Sequence, residues 1–218
     1  MAVINRTPDS FFDRGATIQF GPALDAASRA VADGAEIVDI GGVKAGPGDE
    51  VTPAAEIDRV AGLVAAVRER HPDVVISVDT WRAEVAEVVV QAGADLLNDA
   101  WGGTDPRLAD VAARYGTGLV CSHAGGLPPR TRPHRPAYGD VVRAVTGYVT
   151  EYAERAVAGG VPPDSVLVDP VGERAEGTIA ALAVCAWLGA RVFRVHDVPA
   201  TREALATVAA LRAAITER

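Results

Sequence analysis

The chain is poor in the residues that mark several large classes of protein. Its 218 residues include only two cysteines, and aromatic residues make up 5%. The formal net charge is −8 and no basic tract is present, which argues against nucleic acid or an anionic membrane as a partner. The apolar runs are too short to span a bilayer, and the first residues lack the layout of a signal peptide. We therefore expect a cytoplasmic protein.

Cys121 and Cys185 each lie in an apolar run. We expect two buried, reduced thiols, which fit the cytoplasm better than a disulfide scaffold does. Hydrophobic residues reach 49% of the chain and are mostly Ala, Val and Leu, which favours helices packed over parallel strands. The length suits one domain covering residues 1–218.

Short β-branched runs alternate with longer alanine-rich amphipathic segments along the chain. The runs lack polar alternation, which indicates strands buried on both faces of a parallel sheet. This alternation predicts an α/β fold of the TIM-type (β/α) barrel. Only seven strands are readable, so one helix–strand unit of a closed barrel is expected to be missing. The predicted strands are Val3–Ile4, Glu36–Ile40, Val74–Asp79, Asp95–Asn98, Gly118–Cys121, Ser165–Asp169 and Arg191–Val195, and the predicted helices are 22–33, 54–70, 82–92, 106–115, 138–159, 174–188 and 199–216.

Polar residues stand at the carboxyl end of each predicted strand. In a parallel barrel these ends meet at one rim, so their side chains share a single polar basin. One Asp or Asn at such a position is commonly a helix cap or a turn residue, whereas the whole set favours a ligand site. The set consists of Asn5, Asp39, Asp79, Asn98, His123, Asp169, Arg194 and His196.

The chemistry of this set suggests a heterocyclic ligand that carries an anion. Asp and Asn offer acceptors and donors to the edge of a flat, amide-like ring. Arg194 and His196 are two positions apart on one predicted strand, so both point the same way and together suit a phosphate. A salt bridge at the barrel rim is the alternative role for Arg194.

The segment from Asn5 to Asp13 resembles the first signature of the dihydropteroate synthases, N-x-T-P-D-S-F-x-D. Other segments resemble the later strand ends of that family in the same order, up to about residue 200: Asp39–Gly42, Ser77–Thr80, Leu97–Asp99, Val168–Pro170 and Arg194–Asp197. Within the family, the segments 42–48, 78–82, 98–103, 129–133 and 173–178 resemble the actinobacterial second-copy paralogues, which are regarded as poor or inactive synthases.

This resemblance implies a ligand and a reaction. The family joins 6-hydroxymethyl-7,8-dihydropterin pyrophosphate to p-aminobenzoate, which releases pyrophosphate and forms dihydropteroate. By resemblance, one group of residues would hold the pterin edge and a second group would hold the pyrophosphate, with Mg²⁺ bound near Asn5. The first group is Asp79, Asn98 and Asp169, and the second is Asn5, Arg194 and His196.

The resemblance also implies a loop that closes over the reacting carbon. Thr7 and Asp9 of this loop would be catalytic, and Phe11 would shape the p-aminobenzoate pocket. Lys44, which lies in the second loop, is the third candidate catalytic residue. Closure would exclude water from a carbocation-like centre. The family commonly forms homodimers, so a homodimer is expected.

The chain departs from the family pattern at two places. The second loop reads D-I-G-G-V-K-A-G-P-G where the family has D-I-G-G-E-S-T-R-P-G, so Ala45 and Gly46 replace a threonine and an arginine. Between Pro170 and Glu173 there is no counterpart of the next helix and strand, nor of the lysine at that strand's end, a loss of about 45 residues.

These departures leave three interpretations open. The first is a dihydropteroate synthase with weak activity, in which Lys44 partly replaces the lost arginine. The second is a catalytically inactive pterin-binding paralogue with a regulatory role. The third is a methyltransferase that uses methyltetrahydrofolate, because its barrel shares the Asp and Asn contacts to the pterin.

Overall fold

In the part of the chain that the structure describes, six strands form one parallel sheet whose spatial order follows the order of the chain. The computed structural model describes residues 1–7, 18–44, 48–125, 128–130, 138–169, 185–187 and 189–216. The strands are β1 (Ala2–Asn5), β2 (Ile37–Gly41), β3 (Val75–Asp79), β4 (Leu96–Asp99), β5 (Gly118–Ser122) and β6 (Val166–Asp169).

Helices connect successive strands and pack on the outer face of the sheet. Thr52 caps the second helix, because its hydroxyl oxygen accepts a hydrogen bond from the Ala55 N–H at 3.2 Å. Gly116 ends the fourth helix in the left-handed region, with φ of 68°. The helices are α1 (Phe20–Ala32), α2 (Pro53–Arg70), α3 (Ala83–Gln91), α4 (Arg107–Tyr115), α5 (Val141–Ala158) and α6 (Val198–Thr216), and residues 185–187 are also helical.

Among the described residues, the predicted seventh strand, Arg191–Val195, forms a single bridge. Val195 pairs in parallel with Ala2, and the carbonyl of Val195 accepts a hydrogen bond from the Val3 N–H at 3.1 Å. The N–H of Val195 donates to the carbonyl of Met1 at 2.9 Å. The segment therefore lies along the edge of β1 opposite to β2, where the last strand of a TIM-type barrel lies.

Side chains at neighbouring positions of a strand point to opposite faces of the sheet. Ile40, Val78, Leu97 and Leu119 occupy paired register positions and are fully buried in the layer between sheet and helices. Because side chains alternate along a strand, the residue next to each of them points into the barrel. Polar residues on the strands are therefore directed towards one another in the barrel interior.

Only one of the two cysteines is buried as predicted. Cys121 is buried on β5, whereas Cys185 is exposed, so the prediction of a buried thiol is wrong for Cys185. Trp187, in the same short helical stretch 185–187, is 43% exposed. Within the described ranges, no helix combines the length and the apolar composition needed to cross a bilayer.

Asp99, at the end of β4, fixes the loop that follows the strand. Its buried carboxylate accepts hydrogen bonds from the N–H groups of Trp101 at 2.9 Å and Gly103 at 2.6 Å. The hydroxyl of Tyr152 on α5 donates to the same carboxylate at 2.7 Å. Burial raises the pKa of Asp99, and these three hydrogen bonds oppose that rise. The contact therefore links the β4 loop to α5.

Removing the Tyr152 hydroxyl tests this link. We expect Tyr152→Phe to lower the free energy of unfolding by about 1–3 kcal/mol, because it leaves a buried carboxylate with one donor fewer. Tyr115→Phe is the matched control, since Tyr115 is 38% exposed and its hydroxyl bonds only to surface side chains. Urea unfolding measures both variants, and equal stability losses would show that the Tyr152 hydrogen bond is not stabilising.

Candidate functional site

Asp39 lies at the centre of the polar interior of the barrel. It is fully buried on β2, where its carboxylate accepts a hydrogen bond from the Ser77 hydroxyl at 2.6 Å. The Asn98 amide donates to both of its oxygens, at 3.3 and 3.4 Å. The Nε of Arg194 donates to it at 2.6 Å. Three separate parts of the chain therefore meet at one buried carboxylate.

Arg194 bonds to a second carboxylate as well. Its Nη2 donates to Asp79 at the end of β3, at 3.1 Å. Arg194 immediately precedes Val195, whose backbone is bonded to β1, so the bridge holds the guanidinium at the barrel mouth. The side chain of Arg194 is 39% exposed and that of Asp79 is 20% exposed, whereas Asp39 is inaccessible. The bond to Asp79 is thus the solvent-facing half of this pair of contacts.

The charges of this cluster are strongly coupled. Burial raises the pKa of Asp79 to about 7, the Arg194 guanidinium opposes the rise, and the carboxylates of Asp39, Glu56 and Asp99 add to it. Burial lowers the pKa of Arg194, but the carboxylates of Asp39 and Asp79 outweigh that effect and raise it above its ordinary value. Arg194 therefore stays charged, and it is the cation that stabilises the ionised form of Asp79.

Asp169 lies at the carboxyl end of β6, in register with Ser122. Its carbonyl accepts a hydrogen bond from the His123 N–H at 3.2 Å, and its carboxylate adds to the raised pKa of Arg194. The structure therefore groups Asp169 with Asp79, Asn98 and Arg194, four of the residues that the sequence predicts to bind ligand.

The remaining predicted residues are less closely grouped. Asn5 ends β1 beside Gly41, where an added Cβ would lie 3.2 Å from the Asn5 side-chain oxygen, so a residue larger than glycine would crowd it. Thr7 is buried, and its hydroxyl has no hydrogen-bond partner in the part of the chain that the structure describes. Lys44 is half-buried and His196 is exposed.

Four further positions from the sequence analysis lie outside the described residues. They are Asp9 and Phe11 of the first loop, and Ala45 and Gly46 of the second.

The flanks of the second loop are fixed by arginines that the sequence did not single out. The Arg59 guanidinium donates to the Gly42 carbonyl at 2.8 Å, and Arg82 donates to the Val51 carbonyl at 2.8 Å. Arg82 also pairs with the carboxylate of Glu56, which is fully buried, and lies 4.4 Å from the ring centroid of Trp81. The sequence does contain a signal that could have identified Glu56, because it is a charged residue on the face of α2 that is otherwise apolar.

Comparison with known proteins gives a consistent picture. Residues 1–172 match the family described as pterin binding enzyme. A Mycobacterium tuberculosis protein named inactive dihydropteroate synthase 2 is 47% identical over 261 residues, covering 97% of this chain and 82% of that protein. The Yersinia pestis dihydropteroate synthase, solved in complex with a sulfonamide drug, superposes with a TM-score of 0.90 at 30% identity, covering 98% of this chain and 93% of that one. The Burkholderia cenocepacia enzyme complexed with 7,8-dihydropteroate gives 0.85 at 30% identity, covering 100% and 92%.

These matches also support the internal loss that the sequence indicates. The mycobacterial alignment spans 261 positions and this chain has 218 residues, so at least 43 positions (261 minus 218) have no counterpart here. The family match ends at residue 172, inside the Pro170 to Glu173 junction. The similarity to complete synthases confirms the predicted fold class, an α/β TIM-type barrel. The chain belongs to the dihydropteroate synthase family of pterin-binding proteins.

Proposed function

We propose that the barrel binds 6-hydroxymethyl-7,8-dihydropterin pyrophosphate and condenses it with p-aminobenzoate only slowly. The observation that carries this proposal is the cluster in which Asp79, Asn98 and Arg194 surround the buried Asp39. It places two carboxylates, an amide and a cation together at the carboxyl ends of parallel strands, where ligands bind in barrels of this type.

The hydrogen-bonding groups of this cluster match the edge of a pterin. That edge presents ring and amino N–H donors next to a carbonyl acceptor, and carboxylates and an amide together satisfy both kinds of group. Asp79 retains accessible surface and can contact the ring, whereas the inaccessible Asp39 can act only through its neighbours. We therefore assign the pterin edge to Asp79, Asn98 and Asp169, and we assign Asp39 to holding Asn98 and Arg194.

The pyrophosphate would lie on the side of Arg194 that is away from the pterin edge. The guanidinium and His196 supply donors for phosphate oxygens. The structure contains no group of three or more His, Cys, Asp or Glu side chains that could hold a metal within its described ranges. Mg²⁺ commonly takes most of its ligands from substrate phosphates and water, so the side-chain oxygen of Asn5 is a fitting single protein ligand. When bound, the ion neutralises charge on the leaving pyrophosphate.

In the reaction, the amine nitrogen of p-aminobenzoate bonds to the methylene carbon of the ester as the carbon–oxygen bond to pyrophosphate breaks. The amine loses one proton, and pyrophosphate takes the bonding electron pair. Arg194 would hold the departing oxygens, and the buried Thr7 hydroxyl offers a donor to them. Asp9 and Lys44 complete the proposed catalytic set, and Phe11 would shape the p-aminobenzoate pocket.

The proposed weak turnover follows from family residues that are absent from the second loop and from the junction between Pro170 and Glu173. Ala45 has no hydrogen-bond donor on its side chain and Gly46 has no charge, where the family has a threonine and an arginine. The family's lysine at the end of the missing strand has no counterpart. The proposal also includes a homodimer in the cytoplasm, which sedimentation velocity and fractionation of cells test directly.

Two alanine substitutions test the pterin contacts. We expect Asn98→Ala and Asp169→Ala each to weaken binding of the pterin pyrophosphate by roughly ten- to a hundredfold, because each leaves polar groups of the bound ring unpaired. Asp73→Ala is the control, since Asp73 is exposed at the opposite end of β3. Isothermal titration calorimetry measures the affinities, and unchanged values in both site variants would remove these residues from the site.

The second test concerns catalysis itself. We expect turnover at least roughly a thousandfold below that of a complete family member, because one lost transition-state donor alone costs about 10²–10³ in rate. Steady-state release of pyrophosphate at saturating Mg²⁺, pterin pyrophosphate and p-aminobenzoate measures it, with the Yersinia pestis enzyme as reference. A rate within tenfold of the reference would contradict the proposal and show that Lys44 or a second chain completes the site.

A further inference from the structure

We propose that Arg194 is a specificity-determining residue that masks the pterin-binding carboxylates until an anionic ester draws its guanidinium away. This inference rests on the proposed function and adds a selection step to it. The barrel would then discriminate the pyrophosphate ester from pterins that lack an anion.

The first argument is that the guanidinium and the pterin edge require the same acceptors. Both are planar and present N–H groups attached to a common carbon. In the structure, Nη2 of Arg194 bonds to Asp79 and Nε bonds to Asp39. A pterin that binds through Asp79 must therefore compete with the Nη2 contact.

The second argument is that the two contacts are unequally exposed. The bond to Asp79 lies at the solvent-facing side, where the Asp79 side chain is 20% exposed, whereas the Nε bond reaches the inaccessible Asp39. A rotation that keeps the Nε–Asp39 bond and releases Nη2 leaves Asp39 fully paired, since Ser77 and Asn98 also donate to it. The guanidinium can thus turn without abandoning a buried charge.

The third argument concerns what compensates Arg194 for losing Asp79. A pterin without an ester is neutral and offers the guanidinium no anion, so it must displace a charge-assisted hydrogen bond without replacing it. The pyrophosphate ester offers phosphate oxygens to the same Nη2. Once the carbon–oxygen bond has broken and pyrophosphate has left, the return of Nη2 to Asp79 competes with the pterin ring of the product and favours its release.

The decisive experiment measures two ligands on three proteins by calorimetry. The ligands are 6-hydroxymethyl-7,8-dihydropterin and its pyrophosphate ester, and the proteins are the wild type, Arg194→Ala and the control Arg191→Ala, which alters an exposed arginine three positions away. We expect Arg194→Ala to bind the ester roughly tenfold or more weakly and the unesterified pterin roughly tenfold more tightly. Arg191→Ala should change neither affinity. Unchanged or weaker binding of the unesterified pterin to Arg194→Ala would overturn the inference.

A conservative variant separates masking from loss of charge. Arg194→Lys keeps a cation but cannot bond to both carboxylates as the planar fork does. It should therefore retain part of the ester affinity and still gain affinity for the unesterified pterin. Loss of affinity for both ligands in this variant would contradict masking.

A third measurement does not depend on any pterin. Low-millimolar guanidinium chloride should raise the melting temperature of Arg194→Ala, because the guanidinium ion pairs with the carboxylates that lose Arg194. It should not raise that of the wild type or of Arg191→Ala, with sodium chloride as the matched salt. Absence of this rescue would overturn masking. If rescue occurs but the wild type fails to bind the ester, the proposed function fails and the selection step fails with it. If the ester binds and only the gain for the unesterified pterin is missing, the inference alone fails.

Discussion

A buried carboxylate must be paired, and the pairing of Asp39 organises the interior of this barrel. Ser77 and Asn98 donate to it from the two following strands, and Arg194 reaches it from 155 positions away in the chain. The backbone bridge between Ala2 and Val195 brings that distant segment beside β1. One ion pair and one bridge thus bring the end of the barrel sequence back to its beginning, and they place the guanidinium of Arg194 beside Asp79.

The secondary-structure elements were largely predictable from the sequence, whereas the side chains that pair with one another across the fold were not. β-branched runs without polar alternation predicted all six strands because a parallel sheet buries both faces. The segment Arg191–Val195 shows the same pattern but forms one bridge within the part of the chain that the structure describes, since sequence pattern does not reveal how many neighbours a strand will have. The Arg82 pair with Glu56 was missed, and the salt bridge given as the alternative role of Arg194 was predicted without its partner Asp39. Periodicity gives the face of a residue and not the distant group that it meets.

Comparison with the dihydropteroate synthase pattern separates the parts of the site that this chain retains from the parts that it lacks. The residues proposed for the pterin edge and for the pyrophosphate are present, while the second loop and the unit after β6 differ from the family pattern. This combination favours a synthase-type protein with weak activity over a purely regulatory role or a methyltransferase. Arg59 and Arg82 bond to the backbone at the two flanks of the second loop, although the family's own arginine is absent from it.

The central claim is that the cluster around Asp39 is a pterin site with a movable arginine. A crystal structure of the chain with bound 6-hydroxymethyl-7,8-dihydropterin pyrophosphate tests it most directly. The account predicts the pterin edge on Asp79 and Asn98, the Nε of Arg194 still on Asp39, and its Nη2 on the pyrophosphate instead of on Asp79. An ester bound elsewhere, with both bonds from Arg194 to the carboxylates intact, would contradict it.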